Sequence, residues 1–88
     1  MTTIWKAELQ PADVQQVMVP MGAEMLCARE QFDKICVWYR CDPSAAKEPR
    51  TIAIVGTGNP APGAEGRYLG TASLHGGNLM FHVFERRT

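Results

Sequence analysis

Apolar and polar residues alternate with a period of two along most of the chain, and Gly, Pro, Asn and Asp interrupt the alternation at short intervals. That combination predicts short β-strands joined by turns. The first run is Thr3 to Leu9, in which Ile4, Lys6 and Glu8 alternate against Trp5, Ala7 and Leu9. Pro11, with no N–H to give a ladder, stops it. Val14 to Val19 follows, with Val17 and Val19 on one face and Gln16 and Met18 on the other, before the turn Pro20-Met21-Gly22. Met25 to Gln31 and Lys34 to Cys41 flank Phe32-Asp33 as a hairpin with a two-residue turn. Phe is a poor choice for the first position of such a turn, which asks for positive φ. Ile35-Cys36-Val37-Trp38-Tyr39 is apolar on both faces, so that strand is central or has one face in an interface.

Ser44 to Pro49 reads as a polar loop with one helical turn over Ser44-Ala45-Ala46-Lys47. Arg50 to Val55 is the next strand, with Ile52 and Ile54 facing one way. Gly56 to Gly66 is an eleven-residue loop with four glycines and two prolines, long enough in a small domain to suggest a function. The last hairpin is the clearest. Arg67 to His75 and Asn78 to Glu85 flank Gly76-Gly77, which suits a type I′ turn. Counting outward pairs Leu74 with Leu79, Ala72 with Phe81 and Gly70 with Val83, so small residues oppose large ones on one face. The other face pairs Ser73 with Met80, Thr71 with His82 and Leu69 with Phe84. No helix and no repeat emerge. The expected fold is all-β, a compact antiparallel β-sandwich or open barrel of about seven short strands.

Length makes this one domain, residues 1–88, with a modest core. Nine Lys and Arg balance nine Asp and Glu. That balance argues against a groove for a nucleic-acid polymer, which usually needs a basic excess. Glu85-Arg86-Arg87 is the only dense charged run and reads as a solvated tail. A charged fraction of 20% is a little low and fits a chain that hides part of its exterior in a homo-oligomer or against a partner. Three cysteines, Cys27, Cys36 and Cys41, do not describe a secreted disulfide framework. The start has no apolar signal core, and no apolar run approaches the roughly 20 residues that span a bilayer. A cytosolic protein with reduced thiols is expected.

Catalytic chemistry is hard to place. His75 and His82 have no Cys or His at metal-ligand spacing, and Cys36 and Cys41 should point to opposite faces of one strand, which argues against a zinc site. His82, between Phe81 and Val83, reads as a partly buried, hydrogen-bonded histidine, and His75 as exposed at a hairpin tip. The cysteines lie in apolar strands, where they behave as small hydrophobes. Ser73 and His75 share a face, but no acid completes a triad. No cofactor, metal or catalytic residue is therefore assigned. Gly56-Thr57-Gly58-Asn59-Pro60 is the most informative run. Two glycines after a strand can present N–H groups to an anion, Thr57 and Asn59 can add hydrogen bonds, and Arg67 can add charge from the loop's far end. No helix follows, so this is neither a Walker loop nor a dinucleotide fingerprint. Phe32, at its hairpin tip, is a candidate contact with a partner chain.

Ile4-Trp5-Lys6, Pro20-x-Gly22-Ala23, Cys36-Val37-Trp38, Asp42-Pro43, Gly56-Thr57-Gly58-Asn59-Pro60, Tyr68-Leu69-Gly70-Thr71, Leu74-His75-Gly76-Gly77 and Phe81-His82-Val83-Phe84-Glu85 form one ordered set. In it the chain resembles, over nearly its whole length, a family of small proteins encoded by bacteriophages and prophages with no established activity. Members often carry Asn-Gly where this chain has Phe32-Asp33, and His where it has Asn59. The resemblance implies an accessory phage protein in the host cytoplasm that acts by binding. It would block a host defence protein or sequester a small nucleotide signal; the loop and the hairpin tip, read from the residues themselves, make Gly56, Thr57, Gly58, Asn59, Arg67 and His75 the candidate contacts. A virion assembly protein is the alternative, and a small hydrolase a third.

Overall fold

The computed structural model describes residues 1–61 and 65–86. Seven strands form: β1 (Thr3–Glu8), β2 (Val14–Pro20), β3 (Glu24–Gln31), β4 (Lys34–Cys41), β5 (Lys47–Gly56), β6 (Arg67–Leu74) and β7 (Leu79–Glu85). The fold is all-β. Two antiparallel sheets, ordered β1-β4-β3 and β2-β5-β7-β6, pack face to face. Met25, Val37 and Tyr39 from the first sheet meet Val19, Ile52 and Val83 from the second in the core. β4 is central in its sheet. Its odd-numbered residues Ile35, Val37, Tyr39 and Cys41 enter the core, while Cys36 and Trp38 face outward. Cys36 is nonetheless only 2% exposed, flanked in register by Glu8 and Arg29.

The edge strands β3 and β6, from different sheets, run close together. They touch at Gly70, where a Cβ would collide with the carbonyl oxygen of Ala28. The sandwich is thereby pinched along one side. Both strands carry a bulge, between Met25 and Cys27 and between Tyr68 and Gly70. An extra residue in one strand bends it and sharpens its twist.

Both hairpins have the expected registers at their tips. Gln31 pairs with Lys34, and Phe32 and Asp33 have φ of 54° and 60°. Leu74 pairs with Leu79, Ala72 with Phe81 and Gly70 with Val83. Gly76 and Gly77 have φ of 68° and 95°, and the Asn78 N–H donates to the His75 carbonyl at 3.3 Å. But His75 and Asn78, expected as strand ends, belong to the turn: β6 stops at Leu74, His75 has φ of 53°, and β7 starts at Leu79.

Three expectations are corrected. The segment Ser44–Pro49 holds no helical turn. The Asp42 carboxylate instead accepts from the Ser44 N–H and hydroxyl at 3.0 and 2.8 Å, and β5 has begun by Lys47. Pro49 is tolerated in a strand because β7 reaches only as far as Ile52, so β2 alone flanks β5 there. Second, Leu69 does not share a face with Thr71. The bulge turns it into the core, 6% exposed, and puts Tyr68 opposite Phe84. Third, Glu85 is not part of a solvated tail. It ends β7 with its side chain 13% exposed and accepts from Arg50 Nε at 2.5 Å; Arg87 lies outside the described residues.

The Phe32 geometry yields a test. A bulky residue at positive φ is strained, whereas Asn enters that region readily. Phe32→Asn should stabilise the domain by about 1 kcal/mol, raising the melting temperature by about 4–8 °C. Gly70→Ala should do the opposite, by about 1–3 kcal/mol, because the β3–β6 contact leaves no room for a methyl group. Thermal and urea unfolding of the two variants measure both.

Candidate functional site

The outer face of the four-stranded sheet carries the densest set of interacting polar side chains. Alternation along β7 puts Met80, His82 and Phe84 on this face. Register with β6 sets Thr71 beside His82 and Tyr68 beside Phe84, the two rings 5.5 Å apart at 58°. On the other flank β5 ends at Gly56. The Thr57 N–H donates to the Met80 carbonyl at 3.2 Å, extending the ladder by one step, and the Asn59 N–H closes a turn onto the Gly56 carbonyl at 3.1 Å.

These backbone bonds hold Thr57 over the imidazole. Thr57 Oγ1 lies 2.7 Å from His82 Nε2, Thr71 Oγ1 lies 3.0 Å from His82 Nδ1, and Tyr68 Oη lies 2.5 Å from Thr71 Oγ1. A neutral imidazole satisfies both contacts, one ring nitrogen donating to a hydroxyl and the other accepting from one. The result is a continuous chain Thr57–His82–Thr71–Tyr68 on a half-exposed surface. A hydrolytic triad places a carboxylate beside the second ring nitrogen. Here that position holds the Thr71 hydroxyl.

The expected site residues are only partly gathered. Gly56, Thr57, Gly58 and Asn59 form one turn, in which the Asn59 side chain lies so near Gly56 that a Cβ there would meet Nδ2 at 2.8 Å. Gly58 has φ of 88°. Arg67 is remote from them. It pairs with Glu85, level with Ile52, four residues down β5 from Gly56 and on a strand beyond β7. His75 is at the tip of the β6–β7 hairpin, as its sequence position implied. Its N–H donates to Asp33 Oδ1 at 2.9 Å and its Nδ1 lies 3.5 Å from Asp33 Oδ2, tying the two hairpin tips together. His82 is half-buried and hydrogen-bonded, yet it is the hub of the cluster, a role the sequence reading did not give it. The hairpin register already placed Thr71 beside it.

A second feature opens at the end of the sandwich where those tips meet. It is a cleft of about 430 Å³ between the sheets. Leu9, Ile35, Ile54, Leu74 and Phe81 wall it, and Glu8, Asp13, Asp33 and Lys34 also line it.

A family of domains of unknown function, DUF7352, matches residues 1–88. The chain belongs to this family. No curated protein and no solved structure matches it.

The three thiols of this DUF7352 domain are all unpaired, with Cys36 and Cys41 buried and Cys27 half-buried. Burial pushes the Cys36 thiol up, with Lys6 opposing the shift and Glu8 adding to it. A raised thiol that solvent cannot reach is a poor nucleophile. Iodoacetamide on the native DUF7352 domain should therefore modify Cys27 first and leave Cys36 and Cys41 until the fold opens. Peptide mass spectrometry over a time course reads the order.

Proposed function

We propose that this DUF7352 member is a non-enzymatic accessory protein of a phage, acting in the host cytoplasm to counter a defence by sequestering a small nucleotide signal. The hydroxyl–imidazole chain Thr57–His82–Thr71–Tyr68 carries this reading. It offers alternating donors and acceptors for a base edge or ribose, and Tyr68, 56% exposed, offers a ring face for stacking. The strand residues sharing this face, among them Val14, Gln16, Met18, Thr51, Val55 and Ser73, include no carboxylate to repel a phosphate. Arg86, two residues beyond Phe84, is placed by the same alternation to meet one. The phage setting rests on the resemblance noted in the sequence alone.

The same face supports self-association. Val14, Met18, Met80 and Tyr68 are exposed on it, and a homo-oligomer would cover them. The outer face of β1-β4-β3 is its opposite, carrying Lys6, Glu8, Glu24, Arg29, Lys34 and Arg40. A second reading, blocking of a host protein, is favoured by Phe32. It is 85% exposed and held at positive φ, so an aromatic ring is presented to solvent at a cost in backbone strain.

Isothermal titration of the purified protein with cyclic dinucleotides and with ADP-ribose compounds tests the first reading. One class should bind and be recovered chemically unchanged. His82→Ala should weaken it by about tenfold or more, the loss of one or two hydrogen bonds. Failure of every probe to bind, or equal affinity in a folded His82→Ala variant, would overturn it. Capture of a host protein that Phe32→Ala abolishes would favour the second reading.

A further inference from the structure

The cleft between the sheet ends is separate from the His82 face and makes a different chemical demand. Its walls are aliphatic and aromatic: Leu9 from just past β1, Ile35 from β4, Ile54 from β5, Leu74 from β6 and Phe81 from β7. Its volume, about 430 Å³, lies in the range of small-molecule sites. Three carboxylate residues line it, Glu8, Asp13 and Asp33, against one ammonium, Lys34.

Two of these acids are already engaged. Glu8 pairs with Lys34 at 3.3 Å, and Asp33 holds the His75 N–H. Asp13 differs. Its backbone carbonyl accepts from the Ile54 N–H at 2.8 Å, which fixes the residue at the mouth, while its carboxylate has no hydrogen-bond or ion-pair partner among the described residues. An apolar cavity with an uncompensated negative charge at its edge discriminates by charge as well as by shape. Anions are disfavoured, so a phosphate-bearing ligand does not belong here.

We infer that the cleft is a second binding site, for a small organic cation with an apolar body such as an arylalkylamine, its ammonium paired with Asp13 and its ring between the sheets. The site goes beyond the nucleotide reading and does not depend on it. Asn59 touches both regions, lining the cleft from the turn that carries Thr57.

Tryptamine and indole-3-acetate test the inference, since they share a ring system and carry opposite charge. Both are titrated into the full chain, with backbone amide shifts read by NMR. Tryptamine should move the Ile35, Ile54 and Leu74 amides and leave those of Thr71 and His82 in place. It should bind about tenfold more tightly than indole-3-acetate, the difference between an attractive and a repulsive partly exposed ion pair. Asp13→Asn keeps the backbone bond to Ile54 and should bring the two probes to within about threefold of each other. Leu74→Trp, which fills the cavity, should abolish tryptamine shifts at Ile35 and Ile54. The inference is overturned by tryptamine leaving the cleft amides unmoved, by equal binding of the two probes to the native chain, or by a preference for tryptamine that survives Asp13→Asn. None of these outcomes bears on nucleotide binding at His82, which fails or stands in its own titration.

Discussion

Backbone meets backbone where Gly70 of β6 lies against Ala28 of β3, and the shape of the molecule follows from that contact. Two edge strands from different sheets approach this closely only if neither carries a side chain between them, and Gly70 leaves no Cβ there. Ala28 and Ala72, both nearly inaccessible, keep the neighbouring positions small. The bulges in β3 and β6 bend the strands that make this approach. The bulge in β6 also builds the polar face. Tyr68 and Thr71 are three apart, so in a regular strand they would point to opposite faces. The extra residue at Leu69 brings them to one face, where their hydroxyls bond, and sends Leu69 into the core. Packing of the two sheets and assembly of the His82 chain therefore share one local irregularity.

The chain is neutral, but its charges are unevenly placed. The outer surface of the three-stranded sheet is laced with ionised groups. Arg40 hydrogen-bonds Glu24 there, which holds the Glu24 carboxyl below its usual range, and Lys34 pairs with Glu8. Exposed pairs of this kind add little stability, but they keep a surface solvated. That accounts for the two-sided apolar pattern of β4: Cys36 and Trp38 face outward beneath long charged neighbours, with no third layer needed in the described residues. The four-stranded sheet is left with hydroxyls, amides, thioethers and rings on its outer face. Balance over the whole sequence concealed this division, because composition does not say which face a charge lands on.

Much of the fold was legible because its signals are local. Period-two alternation, turn residues at both hairpins and the pairing of Gly70, Ala72 and Leu74 with larger partners all depend on short stretches of chain. The irregular features were less legible. A bulge at Leu69 costs no change in composition, and a strand start at Lys47 was hidden by Pro49, which reads as a loop residue until β7 is known to stop at Ile52. The site was half legible for the same reason. Gly56 to Asn59 announced itself as a turn, and the hairpin register put Thr71 beside His82. What joins them is the β5–β7 pairing, a long-range register that no local pattern encodes. Arg67 was drawn toward the turn by its place at the end of the loop, but the crossover past β7 carries it to the other end of the sheet.

The chemistry of the His82 chain follows from the residue at its far nitrogen. A histidine that removes a proton from a hydroxyl becomes a cation, and a buried carboxylate is the usual means of stabilising it. Thr71 can orient the ring, but it brings no charge to the imidazolium, and Tyr68 behind it adds a second neutral hydroxyl. Among the described residues, the Thr57–His82 contact is backed by hydroxyls rather than by a carboxylate. The same neutrality suits recognition. Each group in the chain can reverse donor and acceptor roles at small energetic cost, so the face adapts to a ligand's hydrogen-bonding edge without creating an unpaired charge. That adaptability is the physical basis for the proposed reading of this face as a binding site.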